Sequence, residues 1–469
     1  MSADLRIEGT PIEGLLLVHL PLHGDARGWF KEHWHRSKMT ALGLPDFKPV
    51  QQNVSFNADR GTTRGLHAEP WDKYVSVVNG SAFGAWVDLR EGASFGTLFT
   101  AELRPDTAVF VPRGVANGFQ TLEADTNYSY LVNDHWSPNA EYALVNLADP
   151  ALSIQWPIPL DDATISEKDR LHPELREITP VPPKKTAVLG SDGQLGRAIR
   201  VQLGATHIDY LTRDDLDLTD SHAIERHDWS GVGAIINAAA YTAVDGAETH
   251  DGRRHAWQIN STAVRDLARV CIQHDITLVH ISTDYVFDGE ELEHPEGESL
   301  SPLNNYGASK AAGELAASLV PKHYILRTSW VVGDGNNFVR TMAKLARDGV
   351  EASVIADQYG RLTFAEDLAG VIQSLLSGRQ PWGVYNVTSG GPLRTWYEIA
   401  TEVYSLLGVD PSMVSPITAA DYAAQRRAVA PHAERPRYSG LPMDELQRLG
   451  IAPSHEDAHL RRYLKGLHD

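Results

Sequence analysis

A glycine-rich turn, Gly190-Ser191-Asp192-Gly193-Gln194-Leu195-Gly196, constrains this chain more than any other feature. It follows a short apolar run, residues 186–189, and opens a segment of helical character. That is the layout of a dinucleotide-binding βα unit. The first glycine permits the tight turn, and the next ones let backbone amides and a helix N-terminus approach a pyrophosphate. A unit of this kind opens its own domain, so a whole domain of another kind precedes it.

With 469 residues the chain has room for two or three domains. Its formal charge of −19 argues against nucleic acid and anionic membrane surfaces as partners, yet leaves room for a phosphorylated ligand held by local arginines. Cys271 is the only cysteine. A disulfide framework and a thiolate zinc site are excluded, and Cys271 reads as a small buried apolar residue. Residues 1–10 lack the basic start and apolar stretch of a signal peptide. No apolar run approaches the about 18 residues of a membrane span. The expectation is a cytoplasmic protein with no membrane partner.

Ile178-Thr179-Pro180-Val181-Pro182-Pro183-Lys184-Lys185 reads as an extended linker, because its prolines rule out helix. The expected division is a first domain over 1–178, a linker over 179–185 and a second domain over 186–469. Before the linker the chain reads as short strands. Residues 74–78 and 82–89 are β-rich and joined at Asn79-Gly80, a hairpin signal, and 95–103 and 108–111 continue the style. The expected fold is an all-β sandwich or jelly roll. After the linker, apolar strands (208–211, 234–237, 277–281, 324–327) alternate with helical patterns such as 261–273 and 306–319. This predicts a doubly wound parallel sheet, followed by a small lobe built from the looser tail beyond Asp348.

Three further patterns in the second half point to hydride chemistry. Tyr306-Gly307-Ala308-Ser309-Lys310 opens a helix with Tyr306 and Lys310 one turn apart, where an ammonium would favour the phenolate. Ser282-Thr283-Asp284-Tyr285 ends a strand, the place where open α/β sheets bind ligands. Asn237-Ala238-Ala239-Ala240 ends another strand with residues small enough for a flat cofactor to lie against the backbone.

These residues, with Asn260, Arg327-Thr328-Ser329-Trp330, Asp357-Gln358-Tyr359-Gly360 and Arg435-Pro436-Arg437, resemble the dTDP-4-dehydrorhamnose reductases of the extended short-chain dehydrogenase/reductase family. The resemblance implies that Tyr306 protonates a C4 ketone oxygen as hydride arrives, that Lys310 holds the nicotinamide ribose, and that Thr283 hydrogen-bonds the reacting oxygen. Trp330 and Asp284 would contact the sugar. Gly190, Gly193, Gln194, Leu195, Gly196, Asp217, Leu218, Ala238, Ala239, Ala240 and Thr242 would line the cofactor. Arg213 follows the second strand, where a cation meets a 2′-phosphate, so NADPH is expected, with NADH as the alternative and a need for Mg²⁺ left open. The bland reading of Arg213 is a surface arginine before Asp214-Asp215.

In the first half, His67 in Arg64-Gly65-Leu66-His67, Lys73, Tyr130 and Asp169 in Ser166-Glu167-Lys168-Asp169 are candidate acid–base groups, which spacing alone does not pair. Together with Asp25-Ala26-Arg27-Gly28-Trp29-Phe30, Gln51-Gln52-Asn53 and the run Pro112 to Phe119, they resemble the dTDP-4-dehydrorhamnose 3,5-epimerases, cupin-type jelly rolls that need no metal. The resemblance implies His67 as base supported by Asp169, Tyr130 as acid from the opposite face, and Lys73 stabilising the enolate. Arg27, Glu32, Gln51, Asn53 and Arg64 would hold the nucleotide diphosphate, with Lys168 and Glu141 carried over beside them. Three positions depart from the family pattern. Asn117 stands where a ligand-contacting histidine is usual, Ala68-Glu69 replaces an aromatic-glutamine pair, and Trp136 replaces a tyrosine. His33-Trp34-His35 has the spacing of metal-binding cupins but no carboxylate partner at suitable spacing, so no metal is expected.

The whole is expected to be bifunctional: 3,5-epimerisation of dTDP-4-dehydro-6-deoxy-D-glucose, then NADPH-dependent reduction to dTDP-L-rhamnose. The alternatives are a related 3-epimerase/4-ketoreductase with another product, and a non-catalytic sugar-nucleotide-binding protein. Both families resembled form dimers, which implies a homo-oligomer, a dimer.

Overall fold

The computed structural model describes residues 4–136, 142–378, 380–427 and 430–467. The chain divides into two units, Met1–Pro183 and Lys184–Asp469.

The first unit is an antiparallel sandwich. One sheet runs in the order Arg6–Gly9, Leu16–His19, Thr107–Val111, Lys73–Asn79, Thr126–Val132, Gln51–Asn57. The other runs Ala143–Leu144, Thr62–Ala68, Val115–Thr121, Ala82–Asp88, Leu98–Leu103. Val75, Val77 and Val109 of the first sheet pack with Trp86, Val115 and Phe119 of the second, so the apolar core lies between the layers. The jelly-roll expectation holds. The hairpin at Asn79-Gly80 does not. Lys73–Asn79 pairs with Thr107–Val111 and Thr126–Val132, whereas Ala82–Asp88 pairs with Val115–Thr121 and Leu98–Leu103. The turn carries the chain from one sheet to the other. Gly80 has the positive φ of 83° that its dipeptide signals. Both flanking strands are buried along most of their length, and a two-stranded ribbon would leave such faces bare.

The second unit holds a six-stranded parallel sheet in the order Ile208–Leu211, Lys185–Leu189, Val232–Asn237, Thr277–Thr283, His323–Thr328, Gly383–Asn386. Alternate strand residues feed two cores. Ala187, Leu189, Ile235 and Leu278 face one helical layer, and Val188, Ile236, Val279 and Leu326 face the other. Cys271 lies in the first of these cores, where burial pushes its thiol up to about 12. The strand order reverses between Lys185–Leu189 and Val232–Asn237, which opens a crevice at their carboxyl ends. A smaller lobe packs the helices Phe338–Arg347, Trp396–Leu406 and Glu456–Gly466 around the two-stranded sheet Ala352–Ile355/Val414–Ile417.

The stretch read as an extended linker is bonded to the first unit. Val181 N–H donates to Leu89 O at 2.7 Å and Val181 O accepts from Glu91 N at 2.9 Å. The Arg113 guanidinium reaches Pro182 O at 2.9 Å. Lys185 N–H donates to Gly231 O of the second unit at 2.8 Å.

Two candidate active sites

The reductive site is built at the crevice of the parallel sheet. Gly190 leaves its strand at φ 71°, and a Cβ there would lie 2.8 Å from the Ala239 backbone. A Cβ on Gly196 would lie 2.5 Å from Gly190 O. Glycine is therefore required at both positions. Between them the helix Gln194–Leu203 starts at Gly193 with no side chain capping its amides. Uncapped amides at a helix start suit a pyrophosphate, so the cradle fits a dinucleotide.

A cavity of about 690 Å³ extends from this turn across the sheet ends. Every residue given a catalytic, sugar-contacting or cofactor-lining role above lines it except Gly196, which packs beneath the turn. Thr283 closes its strand, accepts from Tyr285 N–H, and donates to Asp284 Oδ1 at 3.0 Å. Burial raises the Asp284 carboxyl to about 6. Asn304 caps the helix Asn305–Ala317 through Gly307 N–H at 2.7 Å, and this helix carries Tyr306 and Lys310 along the cavity wall. One turn beyond, Glu314 accepts from Arg327 with both oxygens, Oε2 at 2.8 Å and Oε1 at 3.1 Å.

The expected lowering of the Tyr306 phenol is not found. Burial and the Asp284 charge push it up to about 12, although the Thr283 hydroxyl beside it acts the other way. Lys310 Nζ turns to the Ile281 carbonyl at 2.5 Å, and burial pulls its ammonium down to about 8. Spacing along a helix puts the two residues on one face, but desolvation outweighs that proximity.

Asn260 accepts from Tyr241 N–H at 2.8 Å and donates to Tyr241 O and Ser309 Oγ, tying the Ala240 strand end to the Tyr306 helix. Trp330 adopts φ 46° and stacks on Trp396 with centroids 3.6 Å apart. A Cβ on Gly360 would lie 2.7 Å from the Trp330 ring, so that glycine makes the room. Arg213 lines the cavity and is largely exposed, 4.0 Å from Asp217.

The second site joins the two sheets of the sandwich. His67, from Thr62–Ala68, holds Nε2 at 3.2 Å from Asp169 Oδ1. Gly65 N–H donates to the other oxygen at 3.2 Å, and the Ser166 hydroxyl accepts from Asp169 N–H. Burial pushes the Asp169 carboxyl up, but His67 and the Gly65 amide outweigh it and hold the group below its usual range. From the opposite sheet, the Lys73 ammonium sits 5.7 Å from the Tyr130 ring centroid. Burial pulls Lys73 down to about 7, and the Glu69 carboxylate is in contact with it. Burial raises the Tyr130 phenol, against the nearby Arg64 charge.

Asn117 lies opposite His67 in the ladder and accepts from Tyr128 OH at 3.1 Å. Gln51 donates to Asn53 at 3.1 Å, and Asn53 pairs across the ladder with Tyr130. Arg64 donates to Asn57 at 3.1 Å. Arg27 and Glu32 bond instead to Asp25 and Lys38 in exposed pairs. Lys168 is exposed on the short helix that carries Asp169, and Glu141 lies outside the described residues. His33 and His35 diverge, His33 Nε2 facing Ser76 Oγ at 3.3 Å while His35 caps the helix Arg36–Ala41.

Residues 184–468 match the family model described as the RmlD substrate binding domain. Residues 9–177 match that of dTDP-4-dehydrorhamnose 3,5-epimerase. An RmlC homolog of Streptococcus pyogenes is 49% identical over 180 residues, covering 37% of this chain and 90% of that protein. The chain belongs to both families. A dTDP-4-dehydrorhamnose reductase of Aggregatibacter actinomycetemcomitans is 37% identical over 286 residues, covering 57% of this chain and 94% of that protein. A crystal structure of a dTDP-4-dehydrorhamnose reductase from Bacillus anthracis, in complex with NADP, has a TM-score of 0.56 at 32% identity. It covers 61% of this chain and 100% of that one.

Three residues of the two family units escaped the sequence reading. Trp396 opens a helix, and nothing local signals that its ring meets Trp330. Glu69 was noted only as a departure, yet it partners Lys73. His172, whose side chain is 3% exposed, lies with Nε2 3.7 Å from Asp169 Oδ1. Its place three residues after Asp169 was the available signal.

Proposed function

We propose that the chain converts dTDP-4-dehydro-6-deoxy-D-glucose to dTDP-L-rhamnose. Its first unit epimerises C3 and C5, and its second reduces the C4 ketone with NADPH. The observation that carries this reading is that each unit brings a matched acid–base set together on the scaffold of its family. His67–Asp169 with Lys73 and Tyr130 form one set, and Tyr306 with Thr283 and Lys310 form the other.

C3 and C5 both flank the C4 carbonyl, so one ketone acidifies both protons. With His67 Nε2–H donated to Asp169, Nδ1 carries the lone pair that takes a proton from carbon. The Asp169 carboxylate stabilises the imidazolium that results. Lys73, in contact with Glu69, faces the charge that develops on the enolate oxygen, which its ammonium would stabilise. Tyr130, kept protonated by burial, returns a proton from the other face.

In the second unit, a reduced nicotinamide held in this cavity would supply hydride to C4. Tyr306 gives its proton to the C4 oxygen, and burial keeps that proton in place until charge develops there. The Thr283 hydroxyl orients the same oxygen. Lys310 holds the nicotinamide ribose, Arg213 receives a 2′-phosphate, and the uncapped amides after Gly193 receive the pyrophosphate. Trp330, backed by Trp396, gives the sugar nucleotide an aromatic wall.

The chain acts in the cytoplasm as a homo-oligomer in this reading. Val54 and Phe56, exposed on the edge strand Gln51–Asn57, support a second copy on that face, which light scattering tests. Among the described residues, no helix is long and apolar enough to cross a membrane.

Incubation with the 4-keto sugar nucleotide and NADPH in D₂O tests both halves. The expected product carries deuterium at C3 and C5 and one equivalent of NADPH is consumed. Asn117, which offers an amide held by Tyr128 where the epimerases have an imidazole, favours a second reading, inversion at C3 alone. Deuterium confined to C3 would select it.

A further inference from the structure

Both imidazoles beside Asp169 bring Nε2 near one of its oxygens. His67 Nε2 lies 3.2 Å and His172 Nε2 3.7 Å from the single oxygen Oδ1. The rings meet edge to face with centroids 5.2 Å apart. One ligand atom from each of the three residues falls within 4.8 Å of the others, a grouping unique among the described residues. Asp169 is held in this pose by Gly65 N–H on its other oxygen and by the Ser166 cap on its backbone. His172 is buried, and neither of its ring nitrogens makes a hydrogen bond of normal geometry. The Asp169 charge and the Val145 backbone beside it favour its charged form, but burial outweighs them and lowers its pKa, so the ring is held neutral with a lone pair to offer.

We propose that His67, Asp169 and His172 form a three-ligand site for a borderline divalent cation of the Zn²⁺ class, and that its occupancy stops the epimerisation. Two imidazoles and a carboxylate are the donors such ions favour. Bond lengths of about 2.0–2.2 Å bring neighbouring ligand atoms to roughly 3.0–3.5 Å, so the His67 contact at 3.2 Å already fits and His172, at 3.7 Å from Asp169, must move in slightly. His67 is one-third exposed, which leaves a side of the ion open to solvent or substrate. The ion takes His67 Nε2, so the remaining ring proton sits on Nδ1 and no lone pair is left to accept a proton from carbon. The ion would then be a reversible inhibitor of the first unit, with no part in the second.

The inhibition rests on the role proposed for His67, whereas the binding does not. The test uses the full chain titrated with Co²⁺ and with Zn²⁺. Equilibrium dialysis should give one tight equivalent. Zn²⁺ should abolish solvent deuterium exchange into the 4-keto sugar, reversibly with a chelator, while NADPH oxidation on pre-epimerised sugar continues. His172→Leu should weaken binding by roughly 100-fold, given that losing even an outer-sphere partner of a metal site costs about 10–100-fold. His172→Cys should bind Co²⁺ with a thiolate-to-metal charge-transfer band, a signature that only ligation by residue 172 produces. No tight equivalent, or a Cys variant without that band, overturns the site. Tight binding at these residues with undiminished exchange overturns the role given to His67.

Discussion

Burial and the Asp284 charge keep the Tyr306 phenol protonated, the form the proposed reduction needs. Tyr306→Phe should therefore lower NADPH oxidation by about 10²–10⁴-fold, the usual worth of a positioned acid, while deuterium exchange at C3 and C5 persists. His67→Asn should do the reverse, provided pre-epimerised sugar is supplied to the second unit. Asp284 makes a second prediction. Its folded value of about 6 lies above the ordinary 3.8, so its favourable contribution is complete below 3.8 and is lost as pH rises through 6. The shift is worth on the order of 2–3 kcal/mol, since each unit corresponds to about 1.4. Asp284→Asn should flatten the fall in stability between about pH 4 and 6. Calorimetry on the transition that NADP raises would show it, and parallel pH curves for parent and variant would refute it. At this scale most residues that the fold gathers into the two candidate sites were legible in the sequence, because Tyr306, Lys310, Thr283 and His67 lie in short motifs. Trp396 and His172 were not, since a stacking partner or a shared carboxylate is a property of the folded neighbourhood.

Elements carry their own lessons. The pattern over 261–273 predicts a helix, and the structure finds one running continuously from His250–Trp257 through a π-helical turn, Gln258–Thr262, into Ala263–Gln273. That turn presents Asn260 to the Ala240 strand end. Hydrophobic periodicity sees which face is buried but not one widened turn, so this device was hidden from the sequence. Asn260→Ala removes three hydrogen bonds at once and should cost about 2–4 kcal/mol, given the roughly 1–3 kcal/mol for each buried group left unpaired. It should also weaken NADPH binding, read by cofactor fluorescence, because Tyr241 loses its anchor beside Ala240. The Asn79-Gly80 turn makes the complementary point. The dipeptide predicted the positive φ correctly, but the choice of partner strand belongs to the two-layer packing around Val75, Trp86 and Phe119.

For the whole molecule, each apolar core among the described residues draws on one unit alone. Residues 1–183 and 184–469 made as separate chains should each fold and keep their half-reaction, with the 1:1 mixture forming the final sugar. Failure of either half to exchange deuterium or oxidise NADPH would show that it depends on the other. The change of grammar at the proline stretch was plain in the sequence. Its attachment was not, because a backbone strand pairing with Leu89 and Glu91 needs only amides and carbonyls.

That attachment bears on how the chain meets a protease. Lys184-Lys185 looks like an open invitation to trypsin between two domains. Yet Val181 is paired on one side, Lys185 N–H is bonded to Gly231 on the other, and the Lys184 stem packs over Gly233. A protease must draw several residues into an extended cleft, and here few are at liberty. Limited trypsinolysis should leave the dibasic pair uncut while Arg and Lys sites in exposed loops are nicked first, and early release of two fragments of the unit sizes would contradict this. The junction that announces two enzymes in one gene is thus also what keeps them one polypeptide.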